Sequence, residues 1–205
     1  MKYPALPPCE PLNGDEQIAL DGRALATVQD FWRWAYSNMN DNASRGRFAE
    51  YIVAAALGCT EGTRREWDAY DVLWHGIKVE VKSSAYIQSW GQNQLSRIVF
   101  GVQPTLDWDP ETGQEGKVRR RQADVYVFCV ETCQNQDPGN PNPLDLAQWD
   151  FYVMATSTLN TLGNQKTISL VQLRAMNATL VKDVFALPEA IEAVLQQATI
   201  TQPEA

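Results

Sequence analysis

The stretch YDVLWHGIKVEVKSS, residues 70–84, constrains the fold most, because it predicts two short strands joined by a tight turn. His75 and Gly76 separate two runs of β-forming residues, which is typical of a two-residue hairpin loop. Such a loop pairs Trp74 with Ile77 and thereby fixes the register of every residue pair beyond them. We therefore expect a hairpin whose two faces can be read from the sequence.

The two faces of this hairpin differ in chemistry, since side chains alternate sides along a strand. One face is apolar and suits a core, with the residues Tyr70, Val72, Val79 and Val81. The other face carries Asp71, Glu80 and Lys82. Asp71 lies directly opposite Glu80, which places their Cβ atoms about 4.5–5.5 Å apart. The sequence thus predicts two acids and an amine on one side of the hairpin.

Facing carboxylates are destabilising unless something compensates their repulsion. A divalent cation would do so, because hard cations bind carboxylate oxygens. Two alternatives remain open: Glu80 and Lys82 could form a solvated face of an exposed strand, or the register could slip by one residue. In the second case Asp68 replaces Asp71 as the candidate ligand.

A third acid lies in the preceding helix, predicted over residues 45–58 and ending at Gly58. This segment is apolar nearly all round, which is typical of a buried helix. Glu50 is the charge in its middle, and a carboxylate at such a depth needs an ionic partner or a metal. The plain alternative is an ion pair with Arg47, three residues away.

Composition restricts the chemistry further. The chain has 205 residues, 44% of them hydrophobic, and this length suits one globular domain spanning residues 1–205. One histidine leaves no histidine-rich zinc or iron site, so metal chemistry has to use oxygen ligands. The four cysteines lack zinc-site spacing, so we expect reduced thiols. No signal peptide or membrane span is evident, which predicts a cytoplasmic protein without membrane contact.

Charge argues against a general nucleic-acid coating protein, because the net charge is −8. A local contact with phosphates is still available. The run KVRRRQ, residues 117–122, contains Arg119, Arg120 and Arg121. These arginines fit a phosphate contact and a solvated loop equally well.

The order of elements predicts one α/β domain with a mixed central β-sheet flanked by helices. Helices are expected over residues 24–38, 45–58 and 187–198, and at the start of 85–102. Strands are expected at the hairpin, over 123–131 and over 149–156. Residues 167–173 are either a short edge strand or the start of a helix.

A helix with an embedded Glu50, then Asp71, then Glu80-Val81-Lys82 on a second strand, resembles the PD-(D/E)XK nuclease superfamily and its uncharacterised bacterial members. Tyr70 stands where the motif has proline. The resemblance covers roughly residues 44–130. It implies a restriction endonuclease-like core at about residues 44–156.

The resemblance also implies roles. Asp71, Glu80 and the Val81 carbonyl would bind Mg²⁺, with Mn²⁺ as an alternative ion, and Glu50 would hold a metal-bound water or a second ion. Lys82 would orient the attacking water. Gln88 and Gln94, on a helix after this strand, could line a DNA groove, and Ser83 and Ser84 could bind phosphate or end the strand.

Two functional hypotheses follow. The first is a Mg²⁺-dependent DNA endonuclease acting in restriction or DNA repair. A homodimer is compatible with this hypothesis, but the sequence does not decide the oligomeric state. The second is a catalytically inactive nucleic-acid-binding or assembly module of the same fold. All four polar positions are filled, which favours the first, whereas the acidity of the chain keeps the second in play.

Overall fold

The structure is a computed structural model that describes residues 6–7, 9–64, 69–106, 108–109 and 113–200. Asp68, the spare candidate for a slipped register, lies outside the described residues. The described strands in chain order are β1 Gln17–Leu20, β2 Arg23–Thr27, β3 Val72–Trp74, β4 Ile77–Ala85, β5 Val99–Gly101, β6 Trp108–Asp109, β7 Gln114–Glu115, β8 Val125–Glu131, β9 Trp149–Ala155, β10 Thr167–Ser169 and β11 Thr179–Val181. The α-helices are α1 Val28–Tyr36, α2 Asn42–Ala56, α3 Thr156–Asn160, α4 Leu170–Ala175 and α5 Leu187–Ile200.

A five-stranded mixed sheet forms the centre of the fold, in the order β11-β9-β8-β4-β3. Strands β4 and β8 are parallel, and the other neighbours are antiparallel. Residues of β8 and β9 are nearly all buried, as expected for central strands. The predicted α/β class, with a mixed central sheet flanked by helices, is confirmed.

Two apolar layers cover the two faces of this sheet. On one face, α2 and α5 pack on Val79 and Val81 of β4 and on the odd-numbered residues of β8. On the other face, β5, β10 and α4 pack on the even-numbered residues of β8, including Tyr126 and Phe128. Glu80 and Lys82 are register partners of Tyr126 and Phe128, so they belong to this second face.

The hairpin has the predicted register. Val72 pairs with Val79, Leu73 with Lys78 and Trp74 with Ile77. His75 and Gly76 form the loop, and both have positive φ angles, 49° and 85°. This is the backbone geometry of the two-residue turn that matches strand twist. Local turn chemistry therefore determines which side chains face the candidate site.

The helix predicted over residues 24–38 is wrong in its first four residues. Residues 23–27 form β2, which pairs with β1 through a turn at Asp21 and Gly22, both with positive φ. Asp-Gly is a strong signal for such a turn. The helix begins only after Thr27, whose hydroxyl and backbone exchange hydrogen bonds with Asp30 in a capping box.

The helix predicted at the start of residues 85–102 is also wrong. Strand β4 continues to Ala85, and residues 86–98 are irregular before β5. The Gln92 side chain accepts a hydrogen bond from Gln88 N and donates to Ser96 Oγ, at 2.7 and 2.9 Å. Side-chain amides that satisfy the backbone in this way compete with a helix.

The helix around Glu50 begins one turn earlier than predicted, because Asp41 caps the backbone N–H groups of Ala43 and Ser44. It ends as expected before Gly58, which has a φ of 67°. It is not buried all round, since Tyr51 is 59% exposed. Glu50 consequently lies at the border between core and solvent rather than within the core.

Residues 167–173 combine both readings, a strand followed by a helix. The C-terminal helix and the strands at 123–131 and 149–156 are confirmed within a few residues. The four cysteines are free thiols. Within the described ranges no helix has the length and apolar character needed to cross a membrane.

Candidate active site

Asp71 lies just beyond the last residue pair of the hairpin, and it forms hydrogen bonds with both neighbours of Glu80 on β4. Its backbone N–H donates to the Val79 carbonyl at 3.0 Å. Its carboxylate Oδ2 accepts a hydrogen bond from the Val81 N–H at 2.7 Å. Strand β3 begins only at Val72, so the Asp71 side chain satisfies a backbone donor that a longer strand would have paired.

The Val81 carbonyl points to the same side of β4 as its N–H, because both groups of one strand residue face the same neighbour. Since the Val81 N–H points to Asp71, the carbonyl is directed toward the same region. A backbone oxygen is thus directed to the edge of β4 on which the Asp71 carboxylate lies.

Lys82 and Glu80 form an ion pair between Nζ and Oε1. Alternation along β4 puts both on the face opposite Val79 and Val81. Their side chains are 32% and 19% exposed. The amine is therefore held beside the carboxylate and still reaches solvent.

Glu50 approaches the hairpin from α2 and pairs with Arg64. Arg64 Nε donates to Oε2, and one terminal nitrogen donates to Oε1 at 3.1 Å, so the contact is bidentate. The alternative that Glu50 pairs with an arginine is thus observed, but with Arg64 rather than with Arg47. Sequence reasoning had no local signal for this contact, because the two residues are 14 positions apart.

The four predicted polar residues influence one another electrostatically. Burial, followed by repulsion from Glu80, raises the pKa of the Asp71 carboxyl to about 7. The Val81 N–H and Lys82 oppose this rise, and Glu50 adds to it. Burial lowers the pKa of Lys82, but attraction to Glu80, Asp71 and Glu50 outweighs it and leaves the pKa raised. Burial and the neighbouring acids thus favour the protonated form of Asp71.

The donor set suits a hard cation, because Asp71, Glu80 and the Val81 carbonyl supply only oxygen. Among the described residues, no three His, Cys, Asp or Glu side chains are grouped so that they could hold a metal ion. A site here would therefore consist of two carboxylates, a backbone carbonyl and water. Mg²⁺ sites commonly have this composition, with one or two carboxylates and several waters.

A cavity of about 520 Å³ opens beside these groups, between α2, the segment at residues 59–64 and the start of β3. Glu50 and Asp71 line it. The other polar or aromatic residues on its wall are Arg47, Tyr51, Thr60, Glu61, Thr63, Arg64 and Tyr70. The Glu50 and Asp71 carboxylates therefore face a space large enough for part of a polymeric ligand, whereas Glu80 and Lys82 are not among the residues that line it.

The remaining candidates are placed less favourably for a site. Gln88 accepts from Arg45 at 3.2 Å and donates to the Ala85 carbonyl at 2.8 Å, which ties the irregular segment to α2. Gln94 is exposed in that segment, and the helix proposed to carry both is absent. Ser83 lies on the face opposite Lys82, whereas Ser84 shares the face of Lys82.

The three consecutive arginines have different environments. Arg121 is buried, at 6% exposure, and donates to Asn160 Oδ1 and to the carbonyls of Val102, Gly163 and Gln165. The Arg121 guanidinium is therefore occupied by acceptors within the protein, which favours a structural role over a phosphate contact. Arg119 and Arg120 are exposed.

The fold and the cluster of acids with a lysine define an α/β protein with a candidate hydrolytic site. Comparison with known families identifies its relatives. The sequence model of the bacteriophage T4 endonuclease IV family matches residues 33–172, which is 140 of the 205 residues. The chain belongs to this family and is thus a member of a family of nucleases. No curated protein and no solved structure matches it significantly.

Proposed function

We propose that this protein is a Mg²⁺-dependent DNA endonuclease of the PD-(D/E)XK type, with Mn²⁺ as an alternative ion. The observation that carries the proposal is the convergence of Asp71, Glu80 and Lys82 at the end of one hairpin. The family match supports the nuclease part. The metal and the residue roles rest on the chemistry of the site.

In this proposal Asp71, Glu80 and the Val81 carbonyl hold the cation. A bound divalent cation lowers the pKa of a coordinated water and neutralises negative charge that develops on the phosphate. Asp71 has to lose its proton to act as a ligand, and its raised pKa means that this loss falls near neutral pH. Glu50 holds a metal-bound water or a second ion.

Lys82 remains charged, since its pKa is raised. Its ammonium donates hydrogen bonds to the attacking water or to a phosphate oxygen, where negative charge increases in the transition state. The reaction is hydrolysis of a phosphodiester bond: a water oxygen bonds to phosphorus, and the bond to the leaving sugar oxygen breaks. Action in restriction or in DNA repair is compatible with this chemistry.

The test is cleavage of plasmid, linear and branched DNA by the purified protein with Mg²⁺, with Mn²⁺ and with EDTA. We expect cleavage with either ion and none with EDTA. Cleavage that persists in EDTA would contradict the metal role. Binding of DNA without cleavage under every condition would instead support the catalytically inactive module, the alternative that the acidic composition leaves open.

A further inference from the structure

We infer that Arg64 binds a backbone phosphate of the nucleic acid in the cavity between α2 and β3. Without a ligand, Arg64 is paired with Glu50, and the phosphate binds once a divalent cation has bound the carboxylates. This inference rests on the proposed function. It assigns a role to a residue that the acid and lysine motif does not include.

The first argument is the shape of the contact. Arg64 meets Glu50 with two nitrogens on two oxygens. Guanidinium groups bind carboxylates and phosphates with the same fork geometry. An arginine already oriented toward a carboxylate at the wall of a cavity is therefore oriented for a phosphate that enters it.

The second argument is access. The Arg64 side chain is 40% exposed and lines the same cavity as Asp71. Thr60 also lines it, and hydroxyl groups are common phosphate donors. A phosphate at this wall would lie next to Asp71, one of the proposed metal ligands, as expected for a neighbour of the cleaved bond.

The third argument is charge. Among the described residues on the cavity wall, the carboxylates and guanidinium groups are those of Glu50, Glu61, Asp71, Arg47 and Arg64, three acids and two arginines. Ionised acids disfavour an anion beside them, and a divalent cation bound to them offsets that repulsion. The cation also competes with Arg64 for Glu50, which is electrostatically coupled to Asp71 and Lys82.

The inference predicts opposite effects of Arg64→Ala on the two ligands. Mn²⁺ affinity, measured by calorimetry, should stay equal or increase, because a competing cation is removed. Affinity for a short DNA duplex or single strand in Ca²⁺, which takes oxygen ligands as Mg²⁺ does, should fall about tenfold or more. The slope of log affinity against log salt concentration should decrease by the contribution of about one charge. In EDTA the variant should differ little from the wild type.

Arg33→Ala is the matched control, because Arg33 also pairs with an acid, Asp30, but does not line the cavity. It should match the wild type in both titrations. A fall of both affinities together, with a lower melting temperature, would show that Arg64 is merely structural and would overturn the inference. Unchanged DNA affinity in Ca²⁺ would overturn it as well.

Failure of the proposed function has a different signature. If the wild type binds neither Mn²⁺ nor DNA and cleaves nothing, both the nuclease proposal and the role of Arg64 are rejected. If the wild type cleaves DNA with Mg²⁺ and Arg64→Ala behaves like Arg33→Ala, only the inference about Arg64 is rejected.

Discussion

The carboxylate of Asp71 accepts the Val81 N–H at 2.7 Å, so the first acid of the site is attached to the strand that carries the second acid and the lysine. This hydrogen bond holds Asp71 close to Glu80 although the two charges repel. The arrangement favours either a proton or a cation at Asp71.

The substitution Asp71→Asn tests whether Asp71 is a metal ligand or a structural acid. Asparagine keeps an oxygen that can accept the Val81 N–H and removes the repulsion with Glu80, so without metal the variant should be at least as stable as the wild type. An ion at a hundredfold excess over its Kd adds about 2.7 kcal/mol to a folded protein that binds it. The wild type should gain much of this in Mg²⁺ or Mn²⁺, and the variant little. Thermal melts with EDTA and with each ion measure both effects; an equal response of the two proteins would show that Asp71 is not a ligand.

The pH dependence of stability follows from the raised pKa of Asp71. An aspartate with a pKa of about 7 in the folded state, against 3.8 as its reference, retains a proton that the unfolded chain has lost. Unfolding therefore becomes easier as the pH rises from about 4 to 7, and the effect levels off above 7. Without metal, the wild type should lose stability relative to Asp71→Asn across this window. Urea titrations of both proteins at several pH values measure the difference, and parallel curves would contradict the raised pKa.

Lys82→Ala should abolish most DNA cleavage, because positioned proton donors and charges in a site typically contribute 10²–10⁴-fold to a rate. Its amine is not a metal ligand, so Mn²⁺ binding should persist. Lys78→Ala is the control on the same strand, since Lys78 lies over the Tyr70 ring and outside the proposed ligand set. Cleavage at the wild-type rate by Lys82→Ala would remove the lysine from the mechanism.

The candidate site was predictable where local chemistry determined it. The His75-Gly76 turn fixes the hairpin register, and the register places Asp71, Glu80 and Lys82. The Glu50–Arg64 pair was not predictable, because residues far apart in sequence meet only after α2 packs on the sheet. Where side chains bind the backbone in a loop, as Gln92 does, apolar spacing alone misleads.

Arg121→Ala should destabilise the protein, because the side chain is buried and its guanidinium satisfies carbonyls of three residues and one side-chain amide oxygen. Leaving such groups unpaired costs about 3 kcal/mol in total or more. Arg119→Ala, at an exposed neighbouring position, is the control and should change stability by less than about 0.5 kcal/mol. Chemical denaturation of both variants decides this, and equal midpoints would contradict a structural role for Arg121.

Arg119 and Arg120 are exposed, so the predicted phosphate contact of this basic run is assigned to these two residues. Each phosphate neutralised by a protein charge contributes about 0.9 to the slope of log affinity against log salt on duplex DNA. If both arginines contact phosphates, the double change to alanine should weaken DNA binding and reduce that slope by almost two. The titration should be made in Ca²⁺, with Arg33→Ala as a variant of equal charge change per site. Arg121 is left intact, and a thermal melt of the double variant checks that loss of the Arg120–Gln122 hydrogen bond has not impaired folding. An unchanged slope would mean that Arg119 and Arg120 belong to a solvated loop.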